Sequence, residues 1–212
     1  DYVLVARPLR DRLVEAIEQS VTDFYGADPH TSADYGRIIS ADHFERVSAL
    51  IRGEGSGTIA FGGTADSSDR YIAPTVLIDP DPDSDVMSNE IFGPVLPVIC
   101  VDDVDEAIDF VNGREKPLAL YIFTNDDTTA RRTIARTSSG GVSVNGTILH
   151  IGPPDLPFGG VGPSGMGAYH GEAGFETFSH LKSVLDRRTK PDLKVLYPPY
   201  SSMKERLIKL VQ

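Results

Sequence analysis

The sequence predicts an α/β fold, a mostly parallel sheet flanked by helices, followed by an extended C-terminal tail. Two patterns predict it. From residue 95 onward, short apolar strands alternate with helix-patterned segments of about a dozen residues, and strands joined in that way need right-handed crossovers and a sheet covered on both faces. The chain also opens directly into Tyr2-Val3-Leu4-Val5-Ala6, the pattern of a buried strand. At 212 residues, 40% hydrophobic and 24% charged, it is long enough to bury a sizeable core.

The elements follow in order. After the opening strand, residues 7–26 read as a helix: Pro8 suits the first turn, Leu9, Leu13, Ile17, Val21 and Phe24 share one face, and Gly26 offers a stop. Phe44, Val47 and Ile51 repeat the helical spacing and predict a helix over 40–53. Gly-rich turns then separate two short strands, over 58–61 and 73–78. A strand at Val95–Val101 leads to a helix over 103–112, with Glu106 placed for a capping box. A strand over 118–124, a helix over 126–138 and a strand over 141–145 complete the alternation. From Gly146 to 174 the periodicity gives way to a Gly- and Pro-rich loop region. The chain thus divides into a body, 1–180, and a tail, 181–212, interrupted by Pro191, Pro198 and Pro199 and closing in a short helix-like run. Because domains rarely begin inside a strand, further polypeptide is expected ahead of Asp1.

Charge and cysteine content exclude several functions. A net charge of -11 opposes nucleic acid and anionic membrane surfaces, and the longest basic cluster, Asp186-Arg187-Arg188-Thr189-Lys190, is short and diluted by an acid. No apolar run approaches the roughly 20 residues that cross a bilayer, and no charged-then-apolar leader opens the chain. Cys100 is the single cysteine, so no internal disulfide forms and a reducing compartment, the cytoplasm, is expected.

Most motif-like features have a plain structural reading. Gly160-Val161-Gly162-Pro163-Ser164-Gly165 matches G-x-G-x-x-G, yet Pro163 removes an amide, no strand precedes it and no helical periodicity follows. Gly53-Glu54-Gly55-Ser56-Gly57 lacks the lysine of a phosphate loop and reads as a turn. Cys100 sits inside a strand among apolar and acidic neighbours, which raise a thiol's pKa, so it reads as a small core residue rather than a nucleophile. His30, His43, His150, His170 and His180 show no metal-ligand spacing; His150 and His170 border the Gly-rich region, either lining a site or packing. Asp79, Asp81, Asp83 and Asp85 alternate with prolines and read as a solvated turn. Ser88-Asn89-Glu90-Ile91-Phe92-Gly93-Pro94 keeps two readings open. Glu90 can accept both hydroxyls of a ribose while Phe92 packs on a flat heterocycle and Gly93 permits close approach. Alternatively, this is a turn leading into a strand, with Glu90 solvated and Phe92 in the core.

Glu90-Ile91-Phe92-Gly93-Pro94 resembles the E-x-F-G-P signature of the aldehyde dehydrogenase superfamily. Leu156-Pro157-Phe158-Gly159-Gly160-Val161-Gly162-Pro163-Ser164-Gly165-Met166-Gly167, Tyr169-His170-Gly171 and Phe175-Glu176-Thr177-Phe178-Ser179-His180 are similar to its class 3 branch of fatty- and aromatic-aldehyde enzymes. The resemblance implies a catalytic-domain fold of that type and NAD(P)-dependent oxidation of an aldehyde to a carboxylic acid. In the family a cysteine thiolate attacks the aldehyde, hydride passes to NAD or NADP, and a glutamate-activated water hydrolyses the thioester. By that resemblance Glu90 binds the ribose, Phe92 packs near the nicotinamide, and Ile148, Ile151 and Phe158 line the aldehyde tunnel. The nucleophile, the general base and the cofactor domain are then expected ahead of Asp1, which makes this chain a C-terminal portion, inactive alone. Its expected partners are an aldehyde, the N-terminal portion of the same enzyme and a second copy reached through the tail. A non-enzymatic dimerisation or scaffolding module that kept the fold is the competing reading.

Overall fold

The computed structural model describes residues 1–190 and 194–209. Tail positions 191–193 and 210–212, included in the oligomerisation segment above, lie outside the described residues.

The centre of the fold is the seven-residue apolar strand β6 (Val95–Val101), which pairs parallel to β1 (Val3–Ala6) on one side and to β5 (Thr75–Ile78) on the other. An antiparallel edge strand, β2 (Thr58–Phe61), extends the sheet to the order β1-β6-β5-β2. Strand side chains alternate between faces, and the alternation explains why these runs are apolar almost throughout. Val76, Ile78, Leu96, Val98 and Cys100 meet Leu13, Val14 and Ile17 of α1 (Arg10–Tyr25). Leu77, Val95 and Ile99 meet Phe44, Val47, Leu50 and Ile51 of α2 (Ala41–Arg52). Leu77 and Val47 on the α2 side and Val98 on the α1 side are all 0% exposed, so both faces of the sheet are tightly packed.

Local chemistry sets the boundaries. The first predicted helix begins with a 3-10 turn at Arg7–Leu9 before becoming α-helical, and Gly26 ends it at φ 82°. Only part of its apolar face is used: Leu13 and Ile17 pack on the sheet, whereas Leu9 and Phe24 stay exposed. Ser40 caps α2 by accepting from the His43 amide at 3.2 Å. The strand expected over 73–78 is shorter, because Pro74 interrupts the ladder; Tyr71–Ile72 (β4) pairs instead with Ala65–Asp66 (β3). A one-turn helix, α3 (Asp85–Ser88), follows, and Arg114 steadies its end by donating to the Met87 carbonyl oxygen at 2.8 Å.

Beyond β6, helix α4 (Val104–Asn112) is capped by Asp103, whose Oδ1 accepts from the Asp105 and Glu106 amides. The Glu106 carboxylate reaches back as expected, but to the Asp102 amide at 2.6 Å, one residue earlier than the usual capping box. Strands β7 (Ala119–Ile122) and β8 (Gly141–Val144) are parallel and joined through α5 (Asp127–Arg136). They form a separate two-stranded sheet rather than lengthening the first. Helix α5 is tied to α4 by ion pairs from Arg132 and Arg136 to Asp105, and by Asn112 donating to the Arg136 carbonyl at 2.9 Å. The region 146–174 holds 3-10 turns at Leu149–Ile151 and Gly162–Ser164 and the start of α6 (Gly171–Thr177). The tail closes in α7 (Ser202–Lys209). No helix among the described residues is long and apolar enough to cross a membrane.

Leu77, fully buried between the sheet and α2, belongs to the larger of the two core clusters. Leu77→Ala is expected to lower unfolding free energy by about 2–5 kcal/mol, read from the urea midpoint at unchanged slope.

Candidate functional site

Residues 89–94 connect α3 to β6 and form a ledge whose backbone is fastened from within while its side chains point outward. Ile91 is the anchor, 1% exposed in the core shared with Val47, Val86 and Met87. Arg46, on α2, donates to the Glu90 carbonyl oxygen at 3.0 Å and to the Ile91 carbonyl oxygen at 2.5 Å. His43, one turn earlier, donates through Nε2 to the Phe92 carbonyl oxygen at 2.7 Å. A carbonyl can only accept, so His43 carries its proton on Nε2 and offers Nδ1 to the Arg46 guanidinium, 3.3 Å away. The Pro94 carbonyl accepts from the Thr75 amide at 2.8 Å and ties the ledge to β5.

Held this way, Phe92 adopts φ 52°, and its ring is 75% exposed. An aromatic residue in the left-handed region costs on the order of 1–3 kcal/mol. The Arg46 and His43 hydrogen bonds offset that cost. The ring thus stands in solvent although its backbone is strained, the reverse of a core phenylalanine, so the bland reading of Phe92 does not hold. Glu90 is exposed too, and among the described residues its carboxylate takes no hydrogen bond or ion pair. Gly93 serves packing rather than ligand approach, since a Cβ there would stand 2.9 Å from Val47 Cγ1.

Free acid and free ring fit the ribose and planar base of a nucleotide cofactor. Two cavities, of about 210 and 240 Å³, flank Pro94 of the same ledge, but neither includes Glu90 or Phe92. They meet at Tyr35, whose hydroxyl donates to the Ile72 carbonyl at 2.7 Å and whose phenol burial, with Tyr71 and Tyr25 nearby, pushes well up.

The other predicted site residues lie beyond β8. Ile148 is 62% exposed at φ 64°, and Ile151 is half-buried one 3-10 turn later. Phe158 exchanges two backbone hydrogen bonds with Tyr169, at 3.0 and 2.9 Å, and meets its ring edge-on with centroids 5.6 Å apart. Among the described residues no hydrogen bond, ion pair or ring contact joins this group to the ledge. His170 donates through Nδ1 to the Leu156 carbonyl at 3.1 Å.

The G-x-G-x-x-G match is a place where backbones touch. A Cβ on Gly140 would stand 2.2 Å from the Gly159 carbonyl oxygen, one on Gly159 2.1 Å from that of Gly167, and one on Gly160 2.1 Å from that of Ser164. Cys100 is buried, and burial together with the Asp79 carboxylate pushes its thiol up. Asp79 itself accepts from the Cys100 amide at 2.7 Å, and Asp81 from the Asp83 amide at 2.9 Å, so the aspartate run builds turns.

His43 and Arg46 escaped sequence reasoning. Their spacing puts them on one edge of α2, yet nothing in the chain says that this edge meets a loop 44 residues away.

Residues 1–184 match the aldehyde dehydrogenase family. The mouse (Mus musculus) protein named aldehyde dehydrogenase, dimeric NADP-preferring is 55% identical over 201 residues, 94% of this chain and 44% of its own length. The chain therefore spans a little under half of that relative. The substrate-bound state of Staphylococcus aureus AldH superposes on 100% of this chain and 46% of its own, with a TM-score of 0.83 and 41% identity. Indole-3-acetaldehyde dehydrogenase in complex with NAD+ covers 85% of this chain and 37% of its own, with a TM-score of 0.73 and 26% identity.

If Arg46 fastens the ledge, Arg46→Met frees it without unfolding the sheet. Limited chymotrypsin digestion followed by mass spectrometry should show cleavage after Phe92 roughly 100-fold faster than in the unaltered chain, the worth of two charged hydrogen bonds.

Proposed function

Since the chain belongs to the aldehyde dehydrogenase family, we propose that it carries the nicotinamide-facing ledge and part of the aldehyde-binding wall of an NAD(P)-dependent enzyme that oxidises aldehydes to carboxylic acids. The observation behind this reading is the ledge itself. Phe92 is strained and exposed at once, and Glu90 beside it has an unengaged carboxylate. A turn leading into a strand needs neither property.

In this reading the Glu90 carboxylate accepts both hydroxyls of the nicotinamide ribose, and the Phe92 ring packs against the base and keeps water from it. When bound, NAD or NADP supplies the hydride acceptor. Ile148, Ile151 and Phe158 present apolar surface to the aldehyde chain. The nucleophile is not Cys100, whose thiol is buried and pushed up in pKa. A thiolate, a general-base glutamate and the cofactor domain come from polypeptide other than these residues. Parallel pairing of β1 with β6 sets Val3 opposite Val98 and runs the backbone ahead of β1 toward the sheet end where the ledge enters β6, so a thiol carried just ahead of β1 would meet its substrate beside Glu90 and Phe92.

The division into a body over 1–180 and a tail over 181–212 is part of the same proposal. Exposed Phe175, Phe178, Leu181, Val184 and Leu185 give the approach to the tail and its start an apolar face for a second copy of the chain. A homodimer working in the cytoplasm, where a lone buried thiol stays reduced, is the assembly we favour.

Two measurements test the reading. The isolated 212-residue chain is expected to leave NAD and NADP oxidised in the presence of aldehydes; reduced nicotinamide appearing in that mixture refutes the division of labour. In an enzyme that carries these residues with their thiol-bearing partner segment, Glu90→Gln should raise the cofactor KM about 10-fold while the aldehyde KM stays put. Unaltered cofactor kinetics would return the ledge to a packing role and leave the scaffolding module standing.

A further inference from the structure

His150 is 6% exposed, and among the described residues neither of its ring nitrogens has a hydrogen-bond partner. Burying an unpaired imidazole lowers stability, whereas an apolar side chain of similar shape would not. Stability alone does not account for a histidine here.

Its surroundings indicate a mechanical role. In the 3-10 turn Leu149–Ile151, His150 turns into the protein, while Ile148, the left-handed residue that precedes the turn, stays exposed and Ile151 is half-buried. The imidazole lies against the backbone of β8: a Cβ on Gly141 would stand 2.7 Å from His150 Cδ2 and 3.0 Å from Nε2. On its other sides it meets Tyr121, at 5.8 Å between centroids, and Phe158, at 5.7 Å. Phe158 is in turn fixed edge-on to Tyr169. The imidazole is therefore a wedge between a strand that cannot yield and the ring of Phe158.

We propose that His150 is a positioning residue for substrate width, setting how far Phe158 stands out and thereby how well the enzyme accepts broad aromatic aldehydes relative to narrow aliphatic ones. The inference rests on the reading in which Phe158 faces the aldehyde. Removing the wedge lets Phe158 sink back and widens the passage. Pressing the wedge forward narrows it.

The test compares kcat/KM for benzaldehyde and propanal in the enzyme carrying these residues with its thiol-bearing segment in place. His150→Ala removes the ring and leaves the space behind Phe158 empty; it should raise the benzaldehyde-to-propanal ratio about 10-fold, the scale of discrimination that one methylene provides, whereas His150→Leu, which refills the space at similar volume, should leave the melting temperature equal or higher and the ratio close to that of the unaltered enzyme. Gly141→Ala keeps the imidazole but pushes a methyl against it, and should lower the ratio, through KM more than kcat. Shifts of opposite sign in the two alanine variants support the proposal, because a merely structural defect would move both the same way. An unchanged ratio in either, or shifts of one sign, overturns it. Should His150→Ala fail to fold, the sign of the Gly141→Ala shift decides alone. Phe158→Ala serves as the control: if it too leaves the ratio unchanged, the assignment of Phe158 to the aldehyde wall is what fails.

Discussion

Two hydrogen bonds from the Arg46 guanidinium to the Glu90 and Ile91 carbonyls hold the ledge in the shape that makes it a candidate site, and a third, from His43, reaches Phe92. A hydrogen bond to a charged group contributes about 1.5–3 kcal/mol, enough to offset a left-handed aromatic residue. The guanidinium can do this only because α2 is fixed, and α2 is fixed because Phe44, Val47, Leu50 and Ile51 are buried against the sheet. The chain of dependence runs from an alternating strand pattern, through a helix face, to three carbonyls and finally to one exposed ring.

The two turns proposed to meet ligands share a physical signature. Phe92 and Ile148 are both bulky, both left-handed, at φ 52° and 64°, and both largely exposed. A β-branched residue gains nothing locally from that conformation, which β-branched side chains adopt only as outliers. Each turn is held from behind by a buried neighbour, Ile91 in one case and His150 in the other. A residue offered outward from such a turn has lost much of its freedom before a ligand arrives, which lowers the entropic cost of binding.

The sequence made the fold readable where burial and periodicity coincide. The strand Val95–Val101 and the helices α2 and α4 appear within a residue or two of their expected bounds, because strict alternation and helical spacing report directly on packed faces. Short-range geometry was less legible. The strand expected over 73–78 gives way at Pro74, and α3 is too short to carry a period. The division of the described strands among three sheets was hidden as well, since a β-α-β pattern fixes the hand of a crossover but not which strands become neighbours. Glu90 and Phe92 were legible as a motif, whereas His43 and Arg46 were not, because a contact 44 residues away leaves no trace in local spacing.

The touching backbones of the Gly-rich region bear on how the chain reaches its native state. At Gly140, Gly159 and Gly160 the facing backbones leave a gap too thin for a single methyl group. Nothing can settle into that gap until the crossover through α5 has closed and brought Gly140 into line, since Gly140 and Gly141 donate to the Pro117 and Leu118 carbonyls at 2.9 Å. Loop closure must therefore precede the reward, the hallmark of a slow, late event. The wall proposed to face the aldehyde then depends on that crossover, and alanine at any of these three glycines would leave the sheet intact but hold the facing backbones apart.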